Sequence, residues 1–328
     1  MIGMTRLSII IPFYNVAQYI AQCLDSVYNQ DIPEEEYEVI CVNDASPDNS
    51  LEIVKEYQKK HKNLILVEHE VNKKLGAARN TGRRVAKGKY IWNVDSDDMI
   101  APNCLKEMLE ICEKYALDVY VFSLYKLKDG VQYERGSEPW MKSNSVYMGL
   151  TFWKQQVLKC QHEISPVWTQ MYRRDYLDEN NILSPEINMG EDVPYTYASI
   201  LLAGRLMACN NPYYIYRDAS NSLTKIIKKT PKPNVVYENS FVCGKIMNDI
   251  IQRISPLEQD IIRSIQSVER YIILLYVQDA LRMSKTDRYE LARMTRKNVL
   301  KNTFVFKMLG LRKSMQYIRF MLSGKIAK

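Results

Sequence analysis

Residues 37–57, YEVICVNDASPDNSLEIVKEY, decide how this chain folds. The run 37–44 is apolar and β-branched, as in a strand buried on both faces. SPDNS then forms a turn with capping side chains, and Leu51, Val54 and Tyr57 recur at helical spacing. The same strand, turn and helix lie on either side. Upstream, LSIIIP (7–12) is a strand stopped by Pro12, and Ile20, Leu24, Val27 and Tyr28 predict a helix within 16–29. Downstream, LILVEH (64–69) is a third strand, LGAARNTGRRVAKG a helix closed by Gly88, and YIWNV (90–94) a fourth strand.

Strands alternating with helices imply an α/β fold with a doubly wound, mostly parallel sheet. A helix over 104–116 and a strand over 118–127 extend it. The chain then reads as irregular up to about Ser165. VWTQMYRRDYLDENNI (167–182) begins as helix, NMGEDVPYTYASILLAGR carries an acidic pair into a helix, and LMACNNPYYIYRD returns as strands. Beyond about residue 225 the pattern turns helical, with candidates near 235–251, 257–283, 286–300 and 303–320. These divisions predict one domain over 1–225, its halves meeting at 125/126, and a helical extension over 226–328.

Ligands of such sheets sit beyond the carboxyl ends of the strands. Those ends hold Pro12 to Asn15, Asn43 and Asp44, His69 to Lys74, and the carboxylates of DSDD (95–98). Three acids within four positions repel one another unless a cation or strong donors offset them. A capping turn before Pro102 and Asn103 is the plainer alternative for these residues.

Composition excludes several classes. A hydrophobic fraction of 46% with only 12 Gly and 12 Pro in 328 residues describes a globular chain with room for a large core. Seven cysteines with no CxxC pair fit neither a disulfide framework nor a zinc site, and point to a reducing, cytoplasmic setting. The apolar start is too short for a signal-peptide core, and YIILLYV (271–277) falls well below the ~18 residues of a membrane span. The first loop, PFYN, has no glycine for a dinucleotide, and GRRVAKGKY has the wrong spacing and no Ser or Thr for a phosphate-binding loop. His69 ends a strand on the polar rim, the one histidine placed for a site role.

Four segments stand in order: SIIIPFYN, VICVNDASPDNS, NKKLGAARNTGRRVAKGKYIWNVDSDD and MGEDVPY. Together they resemble family 2 glycosyltransferases of the GT-A fold, over roughly residues 5–225. The resemblance implies that Asp44 accepts a hydrogen bond from the nucleotide base, that Pro12 and Tyr14 pack around uracil or ribose, and that Arg79 contacts the nucleotide. It implies further that Asp95 and Ser96 lie near ribose and sugar, while Asp97, with Asp95, holds Mg2+ or Mn2+ across the diphosphate. Asp192 would be the catalytic base, Glu191 and Trp168 would face the acceptor, and Arg217 and Lys225 would contact the diphosphate. Each residue also has a plain structural reading: turn aspartate, solvated arginine, core aromatic, or helix-terminal acid.

The expected activity is inverting, metal-dependent transfer from a nucleotide sugar, UDP-linked, to a saccharide or lipid-linked saccharide in surface polysaccharide synthesis. An inactive nucleotide-sugar-binding or glycan-binding member of the fold, and a sugar nucleotidyltransferase, are the competing readings. The last 28 residues hold seven basic and no acidic residues among Phe, Met, Leu and Ile, a composition suited to an anionic membrane surface at the inner face of the membrane. No motif for reading nucleic acid accompanies that charge.

Overall fold

The computed structural model describes residues 5–128, 131–134, 145–160, 166–187 and 190–218, with short pieces beyond residue 231. The chain divides into two compact units, 1–186 with 191–219 and 187–190 with 220–328. Lys225, the basic tail at 301–328 and nearly all of the helical candidates after 225 lie outside the described residues.

The first unit is one nine-stranded sheet with helices packed against it. Strands β1 (Leu7–Phe13), β2 (Tyr37–Asn43), β3 (Leu64–Glu68) and β4 (Tyr90–Asn93) pair in parallel in the order β3-β2-β1-β4. Every residue of β1, β2 and β4 is buried, which explains their unbroken apolar character. Each aliphatic side chain of β1 contributes about 1.5–3 kcal/mol on burial.

Helices α1 (Ile20–Tyr28), α2 (Ser50–Lys60) and α3 (Lys74–Val85) follow the first three strands as expected. Small residues bring α3 onto the sheet: a Cβ at Gly82 would collide with the Ile10 side chain. Pro12 is tolerated near the end of a central strand because of where pairing stops. Ile10 accepts from Val94 on the β4 side and Phe13 from Asp44 on the β2 side. By alternation the Pro12 nitrogen faces β4 beyond their last paired residues, Ile10 and Asn93, where no ladder donor is needed.

Past β4 the sheet changes character. The segment expected to begin as helix makes only a 3-10 turn at Val167–Thr169 before strand β8 (Gln170–Arg173), which pairs antiparallel with β4. A four-residue strand is too short for its alternation to show in sequence. β8 pairs antiparallel with β6 (Val119–Lys128), and β6 runs parallel to β9 (Leu206–Arg217) with register shifts around Ser123, opposite Pro212. Strand β5 (Met99–Ile100) joins β9 antiparallel, and β7 (Val131–Glu134) forms a hairpin with β6. The stretch read as irregular contains α5 (Gly149–Cys160). Helices α4 (Leu105–Lys114), α6 (Arg174–Glu179) and α7 (Asp192–Leu201) complete the unit.

Because β4 and β5 belong to one sheet, the DSDD segment between them is held at both ends.

Candidate active site

At the carboxyl end of β1, Tyr14 is exposed and Asn15 turns left-handed with φ 56°. The SPDNS segment fixes this loop as well as the start of α2, where Asn49 makes no side-chain cap but Asp48 Oδ1 accepts from the Ser50 amide at 3.1 Å. Asp48 accepts from the Ala17 amide at 2.8 Å, Ser50 Oγ accepts from the Val16 amide at 3.0 Å, and Ser46 Oγ accepts from the Asn15 amide at 3.3 Å. Sequence reading gives these side chains a turn and capping role, which Asp48 fills toward Ser50, and carries no sign of their bonds to the first loop.

Asp44, next on the rim, is almost wholly buried. Its Oδ1 accepts from the Lys73 amide at 2.8 Å and lies 2.7 Å from His69 Nδ1, while Oδ2 accepts from the Lys74 amide at 2.9 Å. A carboxylate from one strand thus satisfies donors at the start of α3, where the helix dipole favours negative charge. Lys74 takes φ 76° to present its amide there.

Arg79, buried on α3, supplies the positive charge that the acidic cluster requires. Its Nη2 donates to Asp95 Oδ1 at 2.8 Å, and its Nη1 donates to Glu191 at 2.9 Å and to Asp192 at 2.6 Å. One guanidinium therefore gathers acids from the end of β4 and the start of α7. Arg79 Nε is buried and has no partner among the described residues.

Among the described residues, five carboxylates (Asp95, Asp97, Asp98, Glu191, Asp192) gather around Arg79, which pairs with three of them, and Arg217, whose amide bonds Asp98 and whose Nε bonds the Asp97 carbonyl, so negative charge is in excess there. Burial raises Glu191 to about 7, with Asp192 adding to the rise and Arg79 opposing it. Burial likewise raises Asp95 to about 6, against the pull of Arg79 and with the push of Asp192 and Asp97. Burial also lifts Asp97, and lifts Asp98 well above the usual carboxylate range.

The DSDD acids have three different surroundings. Asp98 accepts from Tyr214 Oη at 2.8 Å and from the Arg217 amide at 2.7 Å, so both of its oxygens are engaged by β9. Tyr214 Oη also accepts from the Asp95 amide at 3.1 Å, and sequence reading had no signal for this tyrosine. Asp95 is committed to Arg79 through one oxygen. Asp97 offers its backbone carbonyl to Arg217 Nε at 2.9 Å, while no other described residue donates to its half-buried carboxylate. Ser96 is buried between them.

Among the described residues, no group of three His, Cys, Asp or Glu side chains could cage a metal ion. Mg2+ and Mn2+ need less when one or two carboxylates combine with substrate phosphate. Asp97 fits that arrangement, Asp95 fits through its second oxygen, and Asp98 does not.

Arg217 is anchored by its Nη2 donating to Gln22 Oε1 at 2.6 Å and by its guanidinium over the Tyr19 ring at 5.1 Å. Trp168 stacks on Tyr214 at 4.4 Å and Tyr216 at 5.5 Å, and its carbonyl accepts from Trp92 Nε1 at 2.8 Å. It is mostly buried and belongs to an aromatic column beneath the acids.

A parallel sheet continued by antiparallel strands, with acids on its carboxyl rim and at a helix start beyond it, defines the GT-A fold. Residues 1–349 of Staphylococcus aureus TarS solved with UDP-GlcNAc share it, with TM-score 0.63 at 24% identity, covering 97% of this chain and 81% of that one. The model of Glycosyl transferase family 2 matches residues 8–180, and the chain belongs to that family of glycosyltransferases. It is 36% identical over 224 residues to the uncharacterized glycosyltransferase EpsJ of Bacillus subtilis, covering 67% of this chain and 63% of that protein. It is 34% identical over 213 residues to a poly(ribitol-phosphate) beta-glucosyltransferase of Bacillus spizizenii, covering 64% of this chain and 32% of that protein. The match spans less than two thirds of either relative's length.

Proposed function

We propose that the protein transfers a sugar, with inversion, from a UDP-linked donor to a saccharide or lipid-linked saccharide hydroxyl during surface polysaccharide synthesis. The observation that carries this reading is the division of labour among the acids: within DSDD only the Asp97 carboxylate receives no donor from another described residue, while Arg79 draws Asp95, Glu191 and Asp192 together beside it. Relatives support the donor and the setting. TarS was solved with UDP-GlcNAc, and the Bacillus spizizenii relative is a poly(ribitol-phosphate) beta-glucosyltransferase.

In this reading Asp97, with the second oxygen of Asp95, holds Mg2+ or Mn2+ against the donor diphosphate. Such a cation supplies charge stabilisation for the departing nucleoside diphosphate. Asp44 accepts from the base, Tyr14 stacks on it from its exposed position, and Pro12 and Ser96 line the nucleotide. Arg217 faces the diphosphate.

Asp192 removes the acceptor proton, because about a third of its side chain is exposed, at 34%, against 8% for Glu191. Glu191 instead orients Arg79, and Arg79 holds the Asp192 carboxylate in place. Trp168 backs the acceptor side. A membrane-facing role for the basic tail accompanies a lipid-linked acceptor; no described helix is long and apolar enough to cross a membrane.

Calorimetric titration of UDP with and without Mn2+, on wild type and Asp97→Ala, tests the reading. Metal-dependent binding that disappears in the variant is expected. Equal binding in both proteins would return DSDD to a structural turn. Incubation with a sugar 1-phosphate and UTP should release no pyrophosphate, as a nucleotidyltransferase would.

A further inference from the structure

The polar chain behind Asp44 has a direction. Arg84 can only donate, and it reaches Thr81 Oγ1 at 2.7 Å. The Thr81 hydroxyl, having accepted that bond, has one proton to give, and His69 Nε2 lies 2.9 Å from its oxygen. His69 Nδ1 lies 2.7 Å from Asp44 Oδ1, and an ionised carboxylate only accepts. Because the carboxylate only accepts, His69 donates from Nδ1 to Asp44, and Thr81, itself held by Arg84, fixes the far side of the ring at Nε2.

The consequence lies in what remains of Asp44. Its two oxygens offer about four acceptor positions. Both on Oδ1 are taken, by His69 and the Lys73 amide, and one on Oδ2 is taken by the Lys74 amide. One position on Oδ2 is left.

We infer that His69, held by Thr81, is a positioning residue that reduces Asp44 to a single open acceptor and so selects a base presenting one N–H, uracil, over one presenting two side by side, guanine. Guanine would seek both carboxylate oxygens with its ring N–H and its amino group, and Oδ1 has no acceptor position left for it. The inference rests on the proposed role of Asp44 toward the donor base, and adds the residue that sets the specificity of that contact.

Calorimetry with UDP and GDP, in Mn2+, on His69→Ala, His69→Asn, His69→Gln, Thr81→Val and Asp44→Ala decides it, with circular dichroism as the check on folding. His69→Ala should weaken UDP binding about tenfold and narrow the UDP-to-GDP ratio, because it frees Oδ1 and loosens the carboxylate. His69→Asn, whose amide nitrogen stands where Nδ1 stood, should restore both affinity and ratio; His69→Gln should not. Thr81→Val keeps the test open if His69→Ala does not fold, and should weaken UDP about threefold while narrowing the ratio.

A folded His69→Ala or Thr81→Val protein with wild-type UDP affinity and ratio overturns the inference and leaves the base contact standing. Equal loss in His69→Ala and His69→Asn overturns it too, since packing alone would then explain the histidine. Wild-type UDP binding by Asp44→Ala would remove the underlying base contact, and this inference with it.

Discussion

Between β3 and β4, the site residues sit at the carboxyl end of a strand or in the helix that follows: Tyr14, Asp44, His69, Arg79 and the DSDD acids. Across the other half of the sheet the strands bring mainly donors and aromatic faces. Tyr214 and Arg217 on β9 brace Asp98, while the remaining acids, Glu191 and Asp192, come from a helix start. The parallel half is assembled from units that are local in sequence. The mixed half is assembled by bonds across more than a hundred residues, such as Arg79 to Asp192 and Asp98 to Tyr214. Arg79 is where the two meet, so the sharpest experiments act on it first.

Arg79→Met should have the largest effect. It leaves three carboxylates without their shared counter-ion and should cost about 3–5 kcal/mol of stability in urea unfolding, along with transfer activity. A loss below 1 kcal/mol would mean that the two halves do not depend on this arginine. Asp192→Asn should lower kcat by about 10²–10⁴-fold while UDP affinity stays at the wild-type value, since it removes a proton acceptor and keeps the shape. A shared loss of UDP binding would move Asp192 from the chemistry into the donor pocket.

Glu191 provides a pH test of the joint between the halves. Its folded value is raised to about 7 from an ordinary 4.5, so between those limits the native protein binds a proton that the unfolded chain has released. Native stability should therefore fall as pH rises from about 4.5 to about 7, and level off above that. In metal-free buffer Glu191→Gln should remove about 1–3 kcal/mol of that decline. An unchanged slope in the variant would assign the decline to other carboxyls. The smallest effect is expected for Tyr14→Ala, which should change stability by less than about 0.5 kcal/mol, because the side chain is largely exposed. It should still weaken UDP about fivefold if the ring stacks on the base.

The two halves also differ in how far they could be read from the chain. Strands β1 to β4 and helices α1 to α3 lie where periodicity puts them, to within a few residues. The expected helix at 167 is mostly strand β8, because its pairing with β4 and β6 outweighs the local pattern of four residues. A mostly parallel sheet was expected, and the parallel pairing runs from β3 to β4 before antiparallel neighbours enter.

Within the site, DSDD and ED were visible as acids, but their unequal status was not. Nothing in D-S-D-D distinguishes Asp98, gripped by Tyr214 and Arg217, from Asp97, whose carboxylate no other described residue reaches. Arg79 was read as a nucleotide contact, and its clasp on three acids required coordinates.

The residues alone settled the strand and helix order of the first hundred positions, the rim on which polar side chains collect, and the need for positive charge beside the acids. Each follows from periodicity or from Coulomb repulsion between near neighbours in the chain. Which cation meets that need, which aspartate keeps its oxygens free, and which way His69 hands its proton depend on partners 12 to 119 residues away. Only folding brings those groups within hydrogen-bond reach, and a hydrogen bond acts over about 3 Å of space regardless of distance along the chain.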